Sequence, residues 1–170
     1  MVLTDRDKLE LLRPAIFAVQ DIATRLGIKD IYQDAGGKLL DIVVETGLSV
    51  VPGRTGVDAV DSNGVPYEVK TLNLTGTTKS FSTNHHVNRH TIQKYRQCNW
   101  LFVTYDGIVR KDMYVVTGPD LYDNLMYIWD LRLGIKSHLN NPKIRLTLVQ
   151  EIGTKFKGNI NEVQGNTVRH

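Results

Sequence analysis

Apolar positions in the first quarter of the chain recur at helical spacing. Leu9, Leu12, Ile16, Val19, Ile22, Ala23 and Leu26 fall three and four residues apart, the period of one face of an α-helix. Thr4, with Asp7 three residues on, has the pattern of a capping box ahead of them, and Gly27 is a suitable stop. Pro14 is expected to kink or restart this helix, because its ring displaces a backbone hydrogen bond. The stripe predicts either a core face or a subunit interface. A second helix is predicted from Asp34, as N-cap, to Gly47, burying Leu39, Leu40, Val43 and Val44. Gly36 and Gly37 in its first turn are poor helix formers, costing up to about 1 kcal/mol each relative to Ala. Glycines there leave room for a close backbone approach to a ligand.

Beyond Gly47 the period drops to two. Ser49-Val50-Val51 is a short extended piece, and strand-like residues run to Val60. Asp61-Ser62-Asn63-Gly64 breaks the strand, and Val65 to Leu72 returns. Asn-Gly tolerates positive φ at both positions, so this stretch predicts a β-hairpin. The polar, hydroxyl-rich segment from Thr75 to His86 has no period and reads as a loop that needs an outside reason to be ordered. Asn88 is expected to cap a short helix through Ile92 and Tyr95 to about Gln97. Trp100–Tyr105 and Ile108–Val116 predict a second hairpin about Asp106-Gly107. Pro119, at N1, opens a helix with Leu121, Leu125, Ile128, Trp129 and Leu133 on one side, stopped by Gly134. A polar loop follows from Lys136 to Pro142, and Ile144, Leu146, Leu148 and Ile152 suggest a last strand. The order predicts an α/β domain of mixed α+β character: one mixed β-sheet flanked by helices. That single domain spans residues 1–157, with a polar, flexible tail over 158–170.

Composition narrows the class. The chain has 170 residues, 41% hydrophobic and 23% charged, as in a globular domain with a substantial core. No apolar run reaches membrane-spanning length, and the first residues lack the basic and apolar segments of a secretory signal. A single cysteine, Cys98, excludes an internal disulfide and fits a reducing cytoplasm. Net charge is +3 and the pI about 9.0, which permits a polyanionic partner without demanding one. The cations are dispersed rather than blocked.

The candidate chemistry lies in the first hairpin. Side chains alternate along a strand, so Glu68 and Lys70 share one face while Tyr67 and Val69 share the other. The return strand brings Glu68 back beside Asp58. Two carboxylates and an ammonium at one spot suit Mg²⁺ next to a phosphate. The spacing Asp-x(9)-Glu-x-Lys is loose, however, and also describes a solvated strand face. His85, His86 and His90 do not make a zinc site: adjacent histidines on an extended chain point oppositely, and no cysteine completes the set.

Five stretches carry a family resemblance: DIYQDAGGKLL (30–40), GLSVVPGRTGVDAVDSNGVPYEVK (47–70), FSTNHHVN (81–88), KYRQ (94–97) and NNPKI (140–144). In this order and spacing the chain resembles the PvuII-type restriction endonucleases of the PD-(D/E)xK nuclease superfamily, over about residues 9–155. The resemblance implies a restriction-endonuclease-like fold and a homodimer. It implies Mg²⁺-dependent hydrolysis of double-stranded DNA at a palindrome, with CAGCTG cut at its centre to blunt ends bearing 5′-phosphates. A cognate DNA methyltransferase would accompany such an enzyme. Asp58 and Glu68 match metal ligands, and Lys70 matches the residue at the attacking water. The Val69 carbonyl, lying between the two key side chains, is a further candidate oxygen ligand. Tyr95 matches a residue near the active site, where its hydroxyl orders water or contacts phosphate unless it is a core tyrosine. Ser82, His85, His86, Asn140 and Asn141 match base contacts in the major groove. Asp34, with Gln33 assisting, matches a residue near the minor groove.

Departures lie beside the recognition loops. Asn84 stands where the family has a third consecutive histidine, the loop from Leu74 to Phe81 is one residue longer, and the segment before Asn140 is one shorter. Two other classes stay open on sequence grounds. One is a repair or junction-resolving nuclease of the same superfamily. The other is a non-catalytic DNA-binding domain, which has no need of an intact Asp58, Glu68 and Lys70.

Overall fold

The computed structural model describes residues 3–33, 36–52 and 57–160. Two helices open the chain, α1 (Asp5–Arg25) and α2 (Gly36–Thr46). The strands β1 (Ser49–Val50), β2 (Ala59–Val60), β3 (Pro66–Asn73) and β4 (Ser80–Ser82) follow, then α3 (Arg89–Arg96). After these come β5 (Asn99–Asp106), β6 (Val109–Val116), α4 (Gly118–Leu121), α5 (Tyr127–Arg132), β7 (Lys143–Arg145), α6 (Leu146–Ile152) and β8 (Thr154–Phe156). Six strands form one sheet in the order β1-β2-β3-β5-β6-β8, and β4 pairs with β7 in a separate ribbon. Only the β3–β5 pairing is parallel, so the sheet is mixed. The segment carrying β4 and α3 makes the crossover that a parallel pair requires.

The sheet is buried on both faces. Along β5, Trp100 and Phe102 join the core beneath α3, α4, α5 and α6, while Leu101, Val103 and Tyr105 join the core beneath α2. That is why this strand reads as one apolar run rather than an alternation. Among the described residues no helix is long and apolar enough to cross a membrane.

α1 starts at the expected capping box: Thr4 Oγ1 accepts from the Asp7 N–H, and the Asp7 carboxylate accepts from the Thr4 N–H. It runs through Pro14 without a break. Glu10 and Pro14 are both exposed, so water is available to the carbonyl that proline leaves without a donor. The stripe is not a core face. Ala23 is its only fully buried member among the described residues, while Leu9, Leu12 and Val19 are 59%, 57% and 40% exposed. In α2 the buried face is Leu40, Ile42, Val43 and Thr46; Val44 points outward, opposite to expectation, and Leu39 is half-buried. Gly36 is needed for packing within the protein rather than for a ligand: a Cβ there would lie 2.2 Å from the Asp30 carbonyl oxygen. The expected N-cap, Asp34, lies outside the described residues.

The C-terminal part differs from expectation in three places. A π-helical turn over Tyr122–Met126 separates α4 from α5, so the buried face runs Leu121, Met126, Trp129 and Leu133, with Leu125 only half-buried. Thr117 is the N-cap there, which places Pro119 one residue beyond N1. The expected last strand is only β7; Leu146–Ile152 is helical, because burying Val149 and half-burying Leu146 and Ile152 follows a three-residue period. The polar tail also starts later than Gly158: β8 closes the sheet edge, and Ile160 is 3% exposed in the α2-side core. Residues 161–170 lie outside the described part.

Candidate active site

The Asp61–Gly64 turn is closed by more than its Asn-Gly pair. Asp61 Oδ1 accepts from the N–H groups of Asn63 and Val65, at 2.9 and 2.8 Å. The Gly64 N–H donates to the Asp61 carbonyl at 3.0 Å, and only Gly64 takes positive φ, at 78°. This is a turn followed by a glycine bulge rather than a two-residue turn with both φ positive. It sets the register Ala59↔Tyr67 and Val60↔Pro66. One step further brings Asp58 alongside Glu68. Asp58 is held there through its backbone, donating to the Tyr67 carbonyl at 3.1 Å and accepting from the Val51 N–H at 3.0 Å. Its Oδ2 accepts from the Val69 N–H at 2.8 Å.

The parallel register pairs Glu68 with Trp100 and Lys70 with Phe102. Lys70 Nζ reaches Glu68 Oε1 at 2.6 Å and lies 6.0 Å from the centre of the Trp100 ring. Glu68 is 4% exposed. Burial raises its carboxyl above the usual glutamate range; the attraction of Lys70 opposes this and the negative charge of Asp58 adds to it. Tyr95 packs edge-on against Trp100 with ring centres 4.6 Å apart. Its hydroxyl is buried and makes no hydrogen bond of ordinary geometry, although the Asn84 backbone is near enough to act on it electrostatically. Burial, then the charge of Glu68, raises the Tyr95 hydroxyl far above its usual range, so it stays an O–H donor. Cys98 is likewise pushed up to about 12, mainly by burial, and is not a thiolate nucleophile at neutral pH.

In chemistry these residues could hold a divalent cation. Asp58 and Glu68 supply carboxylate oxygens on one side of β3. In an extended strand a residue's N–H and C=O point to the same edge. The Val69 carbonyl therefore faces the edge where its N–H meets Asp58. Three oxygen donors of this kind suit a hard cation such as Mg²⁺. No cluster of three or more His, Cys, Asp or Glu side chains exists among the described residues, so a backbone or water oxygen has to complete any such shell.

A second cluster forms where two distant loops zip together. β4 and β7 pair as Phe81↔Ile144 and Ser82↔Lys143, and the Val87 and Leu139 backbones exchange hydrogen bonds of 3.0 and 2.8 Å. Within this frame His85 Nδ1 lies 3.1 Å from Asn140 Oδ1. Asn141 Oδ1 accepts from the Thr83 N–H at 3.0 Å, and Asn141 adopts φ 46°, a left-handed conformation that Asn tolerates well. Each asparagine thus keeps its amide N–H₂ free for a partner while part of its carbonyl capacity is used in the loop. Ser82, His85, His86 and Asn140 are all exposed on this surface. Sequence reasoning missed three residues here. Lys143 Nζ donates to Ser82 Oγ at 2.8 Å, the His138 ring lies 4.8 Å from that of His86, and the Thr83 hydroxyl donates to the Pro142 carbonyl at 2.6 Å. No local signal could have found them, since each contact joins segments more than fifty residues apart. Gln33 is not brought to this surface by a hydrogen bond; it is exposed in the turn before α2, and Asp34 lies outside the described residues.

Burial of Glu68 has a testable sign. Its carboxyl titrates at about 4.3 in an unfolded chain and higher in the folded protein. The folded state therefore holds the extra proton between those values, and stability falls as pH rises through that window. Without divalent metal, Glu68→Gln should stabilise the protein at about pH 7 and lose that advantage below about pH 4, read as urea midpoints of variant and wild type at both values. An advantage that did not change with pH would contradict this account of Glu68.

Residues 4–156 match the family model of restriction endonuclease PvuII. The match takes in both clusters and every strand of the sheet. The chain therefore belongs to the PvuII restriction endonuclease family, and it is a type II site-specific deoxyribonuclease on a restriction-endonuclease-like α/β fold.

Proposed function

We propose that the protein is a homodimeric, Mg²⁺-dependent endonuclease that reads a palindrome in double-stranded DNA, CAGCTG, and cuts it at the centre to blunt ends. The observation that carries this reading is the convergence of Asp58, Glu68, Lys70 and the Val69 edge on one side of β3. Asp58, Glu68 and the Val69 carbonyl would hold the cation, which when bound supplies positive charge at the phosphate and lowers the pKa of a coordinated water. Hydrolysis joins a water oxygen to phosphorus and breaks the bond to the 3′-oxygen, leaving a 5′-phosphate and a 3′-hydroxyl. Lys70, whose ammonium sits at Glu68, orients the attacking water and offsets charge growing on the phosphate oxygens. The burial of Glu68 limits water access and strengthens each of these interactions.

Base reading belongs to Ser82, His85, His86, Asn140 and Asn141. Free amide N–H₂ groups donate to acceptors such as adenine N7, and histidine nitrogens meet guanine O6 and N7 or cytosine N4. Asp34 and Gln33 are assigned to the minor groove. An enzyme of this type acts in the cytoplasm and endangers its host's own DNA, so a cognate methyltransferase is its expected companion.

A palindrome calls for two-fold symmetry, one active site per strand. The exposed face of α1, with Leu9, Leu12, Phe17, Val19 and Ile22, is the apolar surface best suited to that contact. In sedimentation at micromolar concentration the wild type should run as a dimer and Leu12→Asp as a folded monomer; a monomeric wild type would contradict the dimer. The assignment of Glu68 is tested by Glu68→Ala. With Mg²⁺ this variant should bind a CAGCTG duplex selectively and fail to cut it. Cleavage equal to wild type would remove Glu68 from the metal site.

A further inference from the structure

A cleft of about 430 Å³ opens beside the proposed metal site. Glu68 forms part of one wall, and the α3 face carrying His90, Thr91, Lys94 and Tyr95 forms another. His90 and Lys94 are one helical turn apart, as are Thr91 and Tyr95, so the four lie on one face. Asn84, from the recognition loop, completes the rim.

The chemistry of this cleft favours an anion. A cation entering it would meet one carboxylate, Glu68, whose Oε1 is already paired with Lys70 at 2.6 Å. An anion would meet an ammonium, a histidine and a hydroxyl whose proton has no acceptor. That hydroxyl is the Tyr95 O–H, on a residue 5% exposed; the Asn84 backbone acts on its oxygen, and no acceptor takes its proton among the described residues. A buried polar group in this state is costly unless a ligand completes it. The cations of α3 are also divided in their use. Arg89 pairs with Asp130 at 3.3 Å, and the Arg96 guanidinium covers the Tyr122 ring at 4.6 Å. The Lys94 ammonium makes no ion pair or hydrogen bond among the described residues, and the side chain lines the cleft.

Duplex DNA necessarily supplies a second anion here, because phosphates recur at every nucleotide of a strand. We infer that the cleft seats the phosphate adjacent to the scissile one on the same strand, with Lys94 and His90 as its charge partners and the Tyr95 hydroxyl as a donor. The inference rests on the nuclease reading of Asp58, Glu68 and Lys70. Gripping two successive phosphates fixes the strand in both position and direction, which is what an in-line attack demands. Lys94 and His90 thus join the substrate-contacting residues without taking part in proton transfer.

The test places a neutral methylphosphonate at each phosphate around the cut in turn. Single-turnover cleavage with Mg²⁺ and metal-free binding by fluorescence anisotropy are read for wild type, Lys94→Gln, Lys94→Arg and His90→Gln. At one flanking position the substitution should slow the wild type by about ten-fold or more, the size of one charge-assisted contact. Lys94→Gln should be slowed comparably on unmodified DNA, be indifferent to methylphosphonate at that position and remain sensitive elsewhere. Lys94→Arg should restore most of the rate, and His90→Gln should show a smaller loss at the same position. The slope of log affinity against log salt should become shallower by about 1 per subunit in Lys94→Gln. Wild-type cleavage and binding by Lys94→Gln, or equal methylphosphonate losses in variant and wild type at every position, would overturn the contact. If the wild type cut nothing, the nuclease reading would fall, while the binding arm would still decide whether Lys94 holds that phosphate.

Discussion

The parallel ladder between β3 and β5 is the constraint on which the rest depends. Its register puts Glu68 beside Trp100 and Lys70 beside Phe102, and the Lys70 ammonium lies 6.0 Å from the centre of the Trp100 ring. Burial of Glu68 opposes folding when the carboxylate is ionised, and the 2.6 Å contact to Lys70 offsets part of that cost. Surrounding structure must hold this arrangement in place. It does so with β5, buried from Trp100 to Tyr105, whose two faces feed two separate cores. On the proposed function, a divalent cation at Asp58 and Glu68 would replace this unfavourable burial with coordination.

The same ladder joins the proposed cutting site to the loops proposed to read bases. Phe81 of β4 packs on Phe102 with ring centres 4.8 Å apart, and Phe102 is the register partner of Lys70. β4 in turn pairs with β7, which fixes the loops that carry His85 and Asn140. Asn84 stands at the junction: its carbonyl accepts from the Asn141 N–H at 3.1 Å, and it lines the cleft that holds Glu68 and Tyr95. The loops proposed to read bases are therefore only a few packed residues from the proposed metal site.

Much of the scaffold was legible because local chemistry agreed with the fold. The capping box of Thr4 and Asp7, the Asn88 cap, and the two hairpins all appear where side-chain pattern and turn residues placed them. What was not legible depended on tertiary context. Leu146, Leu148 and Ile152 fit a strand as well as a helix, and the burial of Val149 decides for the helix. The π turn at Tyr122–Met126 shifts the buried face from Leu125 to Met126, which no fixed period anticipates. Burial also turned Ile42 inward and Val44 outward. For the site, strand alternation showed that Glu68 and Lys70 share a face, but their role came from the family pattern. Lys143 on Ser82 and His138 on His86 came from neither, because those contacts exist only once the two loops have met.

The central claim is that one hairpin supplies the cutting chemistry and the two zipped loops choose the bond. It is tested most directly by sequencing the ends that the purified protein and Mg²⁺ generate on one plasmid of known sequence. The account predicts discrete fragments whose ends are all blunt, bear 5′-phosphates and fall at the centre of CAGCTG. A smear, nicks at branched or damaged structures, or ends at unrelated sequences would contradict it.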